Sequence, residues 1–189
     1  MPEQSLELSA ALDYARSTSS SITSAEAMFV KKLSKGKQTS FDPRKPKKLT
    51  IFAAKTFPVW QEKYIDLVRE AFDAVSISIN DKELNAKVGK LGEMKKAMPF
   101  VQRLKKRLVV DKEVPEAVFE RKLPFDEFAV LSEMVAAIKR VTGCKELEII
   151  AVDEGGKTGE VIGTGEKREG LMAENAVPGQ PSFTFANIE

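Results

Sequence analysis

Histidine is absent from this sequence of 189 residues, and Cys144 is its only cysteine. Without an imidazole, Ser-His-Asp and Cys-His catalysis are excluded. Most zinc sites are excluded as well, because they use imidazole or thiolate ligands. A single cysteine excludes an internal disulfide bond and is typical of a reducing compartment. Any chemistry would have to come from carboxylates, lysines or hydroxyls. We predict a cytosolic protein and assign no catalytic, cofactor-binding or metal-binding residue in this chain.

Long apolar runs are also missing. No stretch of about 18 apolar residues occurs, so no membrane span is predicted. The N-terminus, MPEQSLELSAALDYARS, lacks the basic start and apolar stretch of a secretory signal. The composition, with 42% hydrophobic and 31% charged residues, is that of a globular protein able to bury a core. The length allows one domain, or one and part of another.

Four segments have apolar residues at helical spacing. In the first, a break or cap is predicted near Thr23 and Ser24, because clustered hydroxyl side chains compete for backbone hydrogen bonds. Pro58 and Gly143 are placed as a helix start and a helix stop, and Pro99 should start a helix or kink one. The predicted helical segments are 3–33, 57–75, 81–108 and 124–142.

Two short apolar runs predict buried strands, LTIFAA (49–54) and LEIIAV (147–152). The C-terminal FTFANIE (183–189) alternates like a third strand. Glycine-rich residues 153–182 are expected to form a long polar loop, with a hairpin through 160–164. The predicted fold is therefore helix-rich α+β: the end of a helical bundle, then a basic linker, then helices packed on a small β-sheet.

Two glycine-rich motifs are similar to nucleotide-binding loops but depart from their patterns. GGKTG (155–159) lacks the earlier glycine of a phosphate loop, because Ala151 stands at that position. GTGEKREG (163–170) misses the dinucleotide pattern, because Arg168 replaces its third glycine. Both motifs are interpreted as surface loops.

Charge is segregated along the chain although the formal net charge is only +2. Residues 31–48 carry eight Lys or Arg against one Asp, and residues 87–107 carry eight against Glu93 alone. Residues 145–176 lean acidic. Clustered basic residues on an arm and on a helix face are typical of contacts to a nucleic-acid backbone. The alternative is a solvated linker and a solubilising helix face.

The only tryptophan, Trp60, lies in phase with the apolar stripe of its helix, which favours core packing over base stacking. It belongs to the first of four motifs, which are FPVWQ (57–61), KKAMPFV (95–101), PFDEFAVLSE (124–133) and PGQP (178–181). In this order and spacing they resemble the C-terminal region of cytosolic leucyl-tRNA synthetase of the eukaryotic and archaeal type. LVREAF (67–72) is most similar to fungal members. The resemblance covers roughly residues 10–189.

This resemblance implies a domain organisation and a role. Residues 1–37 would be the end of a helical anticodon-binding-type bundle, followed by a basic linker at 38–48. Residues 49–189 would form a truncated C-terminal α+β module, an extension that supports tRNA binding. In this family leucine identity is generally not read from the anticodon, so these parts are expected to dock and position leucine tRNA.

The intact enzymes activate leucine with ATP and transfer it to tRNA, but this chain departs from the family where that chemistry occurs. The His-Ile-Gly-His signature of the ATP site needs histidine. KLSKG (32–36) differs from the mobile Lys-Met-Ser-Lys-Ser loop at Gly36 and lies in a basic linker. We therefore expect a non-catalytic fragment without a cofactor, whose partners are leucine tRNA and the rest of the synthetase.

Nine basic residues are the predicted phosphate contacts, and they would act on the backbone without reading bases. The alternative is a protein-interaction or dimerisation module, because the apolar face of 3–33 would lack its bundle. A stand-alone enzyme is the third possibility. The nine residues are Lys31, Lys32, Lys35, Lys37, Lys95, Lys96, Arg103, Lys106 and Arg107.

Overall fold

The computed structural model describes residues 2–121 and 123–188. The chain forms two compact units. Unit 1 comprises Met1–Phe57 and Leu123–Glu189, and unit 2 comprises Pro58–Lys122. Unit 2 is therefore inserted in the sequence of unit 1. The domain boundaries at 37 and 48 stay a prediction.

The elements confirm a helix-rich α+β fold. In unit 1 two long helices accompany a five-stranded sheet, and unit 2 is mostly helical. In chain order the elements are α1 (Pro2–Ser34), β1 (Lys47–Ala54), α2 (Trp60–Ala71), β2 (Phe72–Asp73), β3 (Ser78–Ile79), α3 (Asp81–Lys90), α4 (Met94–Lys105), a π-helical turn (Lys106–Val110), α5 (Pro115–Glu120), α6 (Glu127–Thr142), β4 (Glu146–Val152), β5 (Gly159–Val161), β6 (Lys167–Arg168) and β7 (Ser182–Asn187).

The sheet of unit 1 has the strand order β6-β5-β4-β1-β7. The two predicted buried strands, β1 and β4, lie side by side and parallel at its centre, and β7 runs antiparallel to β1. Side chains of a strand alternate between its two faces. One face carries Leu49, Ile51 and Ile149, which pack with Ile22 of α1 and Leu131 of α6.

Helix α1 is continuous, so the predicted break near Thr23 and Ser24 is wrong. The hydroxyl of Ser21 donates to the carbonyl of Ser17 at 2.9 Å, and that of Thr23 donates to Ser19 at 3.1 Å. These hydroxyls bond to carbonyls one turn back in the same helix, so they do not pull the backbone out of it.

Residues 38–48 are less exposed than a linker would be. The ring of Phe41 is buried, with its centroid 5.2 Å from that of Phe29 and 5.1 Å from that of Phe185. Lys47 begins β1, and its ammonium group donates to the carboxylate of Glu26 at 2.6 Å. The aromatic contacts and this ion pair fix both ends of the stretch to unit 1.

A buried carboxylate connects three distant segments of unit 1. Glu127, at the start of α6, is 4% exposed. It accepts a hydrogen bond from the hydroxyl of Tyr14 at 2.6 Å and another from the amide of Gly179 at 3.0 Å. Burial raises the pKa of Glu127, and the hydrogen bonds from Tyr14 and Gly179 act in the opposite direction.

The core of unit 2 is formed by α2, α3, α4 and the turn after it. Helix α2 ends earlier than predicted because Phe72 and Asp73 pair with Ser78 and Ile79 as a short hairpin, which leaves Val75 95% exposed. Helix α5, which begins at Pro115, was not predicted. The buried core residues are Tyr64, Ile65, Val68, Leu84, Val88, Ala97, Phe100, Val101, Leu104, Leu108 and Val118.

Three local predictions can be checked against the helix ends and the loop. Gly143 adopts φ 69° directly after α6, as expected of a helix stop. Pro99 lies inside α4, on its exposed side, and does not start it. The predicted hairpin is formed by β5 and β6, with its turn after Val161. Within the described ranges no helix is both long and apolar enough to span a membrane.

Candidate nucleic-acid interface

The first predicted group of basic residues lies at the C-terminal end of α1. Gly36 has φ 72° and donates to the carbonyl of Leu33 at 2.9 Å, and Lys37 donates to that of Lys32 at 3.1 Å. These two bonds form a Schellman motif, which ends the helix with a glycine in the left-handed region. Lysines here are also favoured by the negative end of the helix dipole.

All four lysines of this group are exposed, and none forms an ion pair with any described residue. The ammonium group of Lys32 lies 5.8 Å from the ring centroid of Phe29. A surface groove of about 410 Å³ is lined by Lys37 and also by Lys45. Lys45 was not among the predicted contacts, although it belongs to the basic stretch 31–48 that gave the signal. The four residues form the α1 basic group: Lys31, Lys32, Lys35 and Lys37.

The second predicted group lies on α4 and the turn that follows it. The core side of α4 is formed by Ala97, Phe100, Val101 and Leu104. Lys95, Lys96, Arg103 and Lys106 are exposed. At 3.6 residues per turn Lys95 projects from the side opposite the core, and Lys96 and Arg103 project from the flank of that side. Lys106 begins the π-helical turn that follows. These four residues form the α4 basic face.

Arg107, the remaining predicted contact, already has a carboxylate partner. Its guanidinium group donates to both carboxylate oxygens of Glu113, with the shortest distance 2.6 Å. A bidentate pair of this kind uses the same two guanidinium N–H donors with which arginine would bind a phosphate. Glu113 therefore competes directly with a phosphate for Arg107.

Trp60 packs against the core of unit 2, as its position in the stripe predicted. Its ring centroid lies 5.8 Å from that of Tyr64 and 5.7 Å from that of Phe100. The ammonium group of Lys96 lies 4.5 Å above the indole ring, within the range of a cation–π contact. Trp60 therefore also positions one residue of the α4 basic face.

The glycine motif 155–159 forms the connection between β4 and β5. Asp153 donates its amide to Thr158 at 2.9 Å, and its carboxylate accepts from Lys55 at 2.8 Å. The first bond closes the connection on itself, and the second joins it to the residue that follows β1. In the described part of the chain no group of three or more His, Cys, Asp or Glu residues could hold a metal ion.

Comparison with known proteins identifies the chain as a segment of an aminoacyl-tRNA ligase. Residues 53–114 match the family described as leucine–tRNA ligase, RagD-binding domain. The cytoplasmic leucine–tRNA ligase of Neurospora crassa is 52% identical over 193 residues, which cover 100% of this chain. That of Saccharomyces cerevisiae is 39% identical over 95% of the chain, and that of Pongo abelii is 32% identical over 80%.

The chain belongs to the cytosolic leucine–tRNA ligase family, as the four motifs indicated. It spans 17% of the length of the Neurospora and Saccharomyces relatives and 12% of that from Pongo abelii. The relatives are cytoplasmic enzymes, in agreement with the compartment predicted from the single cysteine.

Proposed function

We propose that this chain is a non-catalytic part of a leucine–tRNA ligase that docks and positions leucine tRNA. The observation that carries the proposal is the α1 basic group, four exposed lysines gathered by the end of one helix. Because none of them has a carboxylate partner in the described chain, their charge is available to phosphate groups. Leucine activation and transfer belong to the remainder of the parent enzyme.

The α4 basic face supports the same function from unit 2. Its lysines are held by a helix whose other side is buried, so their backbone positions are fixed before tRNA binds. Contacts of this type are insensitive to base sequence, and specificity for tRNA would come from its shape.

A salt titration with leucine tRNA tests this function. We expect affinity to fall steeply with salt, because each phosphate contact contributes about 0.7 to 0.9 to the slope of log K against log salt. The double variant Lys35→Glu, Lys37→Glu should lower both the affinity and that slope. The matched control is Lys157→Glu, Lys167→Glu, which reverses two exposed lysines elsewhere in unit 1. Equal losses in both pairs, or no binding at low salt, would refute the proposal.

A second candidate function is the binding of a partner protein through unit 2. The matched family is described by binding to RagD, and the match at 53–114 nearly coincides with unit 2. Unit 2 also exposes large apolar side chains, including Leu91 at 42% and Met94 at 43%. Exposed apolar residues of this size are typical of protein-binding surfaces when they cluster.

Calorimetric titration of the chain with purified RagD tests this candidate. The double variant Leu91→Asp, Met94→Asp should weaken binding, and Leu6→Asp, at an exposed leucine of α1, is the matched control. Binding of tRNA should be unaffected by the double variant, so the two functions can be separated. A chain that binds tRNA but gives no heat with RagD would leave only the first function.

A further inference from the structure

Strand β4 is paired on one side for only half of its length. It is bound along its whole length by β1, but β5 pairs only with Ile150, Ala151 and Val152. One further bond joins the amide of Ile162 to the carbonyl of Ile149 at 2.8 Å. No strand in residues 2–121 or 123–188 continues this row alongside Glu146–Glu148.

The backbone groups at this open edge can be assigned from the ladder. In a strand, successive residues direct their N–H and C=O groups to alternate sides. The carbonyl of Ile149 points to the β5 side, so the N–H and C=O of Leu147 point to the same side, beyond the end of β5. An uncovered donor and acceptor in a sheet edge is a template for an added strand.

A groove of about 620 Å³ runs along this open edge. It is lined by Val135 of α6, by Leu147 and Ile149 of β4, and by Ile162 from the turn after β5. The side chains of Leu147 and Ile149 lie on the sheet face that packs with α6. An extended segment in this groove would therefore gain apolar contacts on one side, as well as main-chain hydrogen bonds.

Charges of both signs border the groove, and those without an ion-pair partner are positive. The acidic residues Glu146, Glu148 and Glu166 are all paired, because Lys48 lies 3.9 Å from Glu146 and 3.1 Å from Glu148, and Arg168 contacts Glu148 and Glu166. The basic residues Lys139 and Lys145 also line the groove, and neither forms an ion pair with a described residue. Charge complementarity therefore favours a segment with a carboxylate near these two lysines.

We propose that this edge binds an extended acidic segment of a partner protein, which adds to the sheet as a strand in line with β5. Running antiparallel to β4, the segment places an apolar residue opposite Leu147 and, two residues further on, an acidic residue beside Lys145, which directly precedes the strand. Residues two apart in a strand lie on the same face, so both side chains of the segment point to the α6 side. The proposal is independent of tRNA and RagD binding.

The peptide Thr-Val-Thr-Glu-Thr is a suitable probe, and NMR titration of the whole chain is the measurement. In the proposed register Val is opposite Leu147 and Glu lies beside Lys145. We expect saturable shifts of the Leu147 amide and slower hydrogen exchange at that amide. A methyl group on the peptide nitrogen of Val should weaken binding about fivefold to tenfold, because it removes one main-chain hydrogen bond. The reversed peptide Thr-Glu-Thr-Val-Thr has the same composition and should bind more weakly.

Protein variants test the charge argument. The double variant Lys139→Glu, Lys145→Glu should lower the affinity for the peptide by about tenfold or more. Lys157→Glu, which lies outside the groove, should leave that affinity unchanged. Equal affinities for the methylated, reversed and original peptides would overturn the proposal. So would dimerisation of the chain through β4 with no response to the peptide, which would assign the edge to a second copy.

Discussion

At the scale of single residues, Glu127 connects three distant segments of unit 1. Its carboxylate accepts from Tyr14, 113 positions away in the sequence, and from Gly179, 52 positions away. Removing a buried acceptor leaves its donors without partners, which costs about 1–3 kcal/mol for each group. A single side chain thus stabilises the contact of α1 and of the PGQP segment with α6.

The position of Glu127 predicts a pH dependence of stability. Its folded-state pKa is raised, chiefly by burial, so the folded protein binds a proton more tightly than the unfolded chain does. The resulting stabilisation is present below the ordinary pKa of Glu and is lost as pH rises through the raised value. Urea unfolding at a series of pH values should show this decline in the wild type, and Glu127→Gln should lack it.

The exposed Glu133, also on α6, provides the matched control for this prediction. Glu133→Gln should unfold with the same pH dependence as the wild type. Parallel curves for the wild type and Glu127→Gln would show that the buried carboxylate does not titrate in the expected way.

The environment of a single residue could be predicted only where it follows from the pattern of neighbouring residues in the sequence. Trp60 was assigned to the core from its helical spacing, and the structure confirms it. The burial of Glu127 could not be predicted, because both of its partners are distant in sequence and a glutamate at a helix start is normally exposed. The pairing of Arg107 with Glu113 is close in sequence but was also missed, because it depends on the π-helical turn after α4.

At the scale of elements, two glycines of the β4–β5 connection differ in whether there is space for a side chain. Gly155 and Gly156 both have positive φ, 87° and 72°. A Cβ on Gly156 would lie 2.5 Å from the amide nitrogen of Glu174, whereas a Cβ on Gly155 would meet nothing within 4 Å. The backbone at Gly156 is packed directly against the segment that covers one face of the sheet.

We predict that Gly156→Ala destabilises unit 1 clearly more than Gly155→Ala. Both changes introduce a side chain at positive φ, which costs about 1 kcal/mol. Only Gly156→Ala must also displace the backbone near Glu174. Thermal unfolding followed by circular dichroism compares the two directly. Equal losses would indicate that the segment moves away at little cost.

The N-terminal cap of α6 gives a second prediction at this scale. The carboxylate of Asp126 accepts from the amides of Phe128 at 3.1 Å and Ala129 at 3.2 Å. Asp126→Ala should lower the free energy of unfolding by about 1 kcal/mol, as measured by urea denaturation. Asp126→Asn keeps an oxygen in that place and should recover most of the loss. No recovery would mean that the helix dipole, and not the hydrogen bonds, favours the aspartate.

Elements with strong periodicity were predicted, but not all of their ends were. The strands β1 and β4 and the helices α2 and α6 follow from their apolar patterns. The early end of α2 was missed because the hairpin at Phe72–Asp73 is formed by pairing with Ser78–Ile79, which has no local signature. The break in α1 was wrongly predicted because the hydroxyls of Ser21 and Thr23 bond to the helix itself.

At the scale of the whole molecule, unit 2 has a core of its own, formed entirely by residues of Pro58–Lys122. We predict that this segment folds when it is expressed alone. A domain of this size is expected to be marginally stable, so its unfolding should be cooperative but occur at modest temperature. Calorimetry of the isolated segment is the measurement. A broad transition without an enthalpy peak would show that it needs the rest of the chain.

The division of the chain into two compact units was not predicted from the sequence. The motifs FPVWQ and PFDEFAVLSE proved to be family markers, yet they gave no sign that unit 2 is inserted between two parts of unit 1. Strand pairing that joins residues so far apart depends on the folded state and leaves no local pattern.

The parallel pairing of β1 with β4 has a consequence for synthesis on the ribosome. Thr50 and Glu148 contact each other across 98 positions, so β1 is translated long before its neighbour exists. All segments of the unit 2 core are translated in that interval. We therefore expect unit 2 to fold cotranslationally first, while β1 stays an unpaired apolar strand. In the nascent chain β1 is then the natural target for a chaperone.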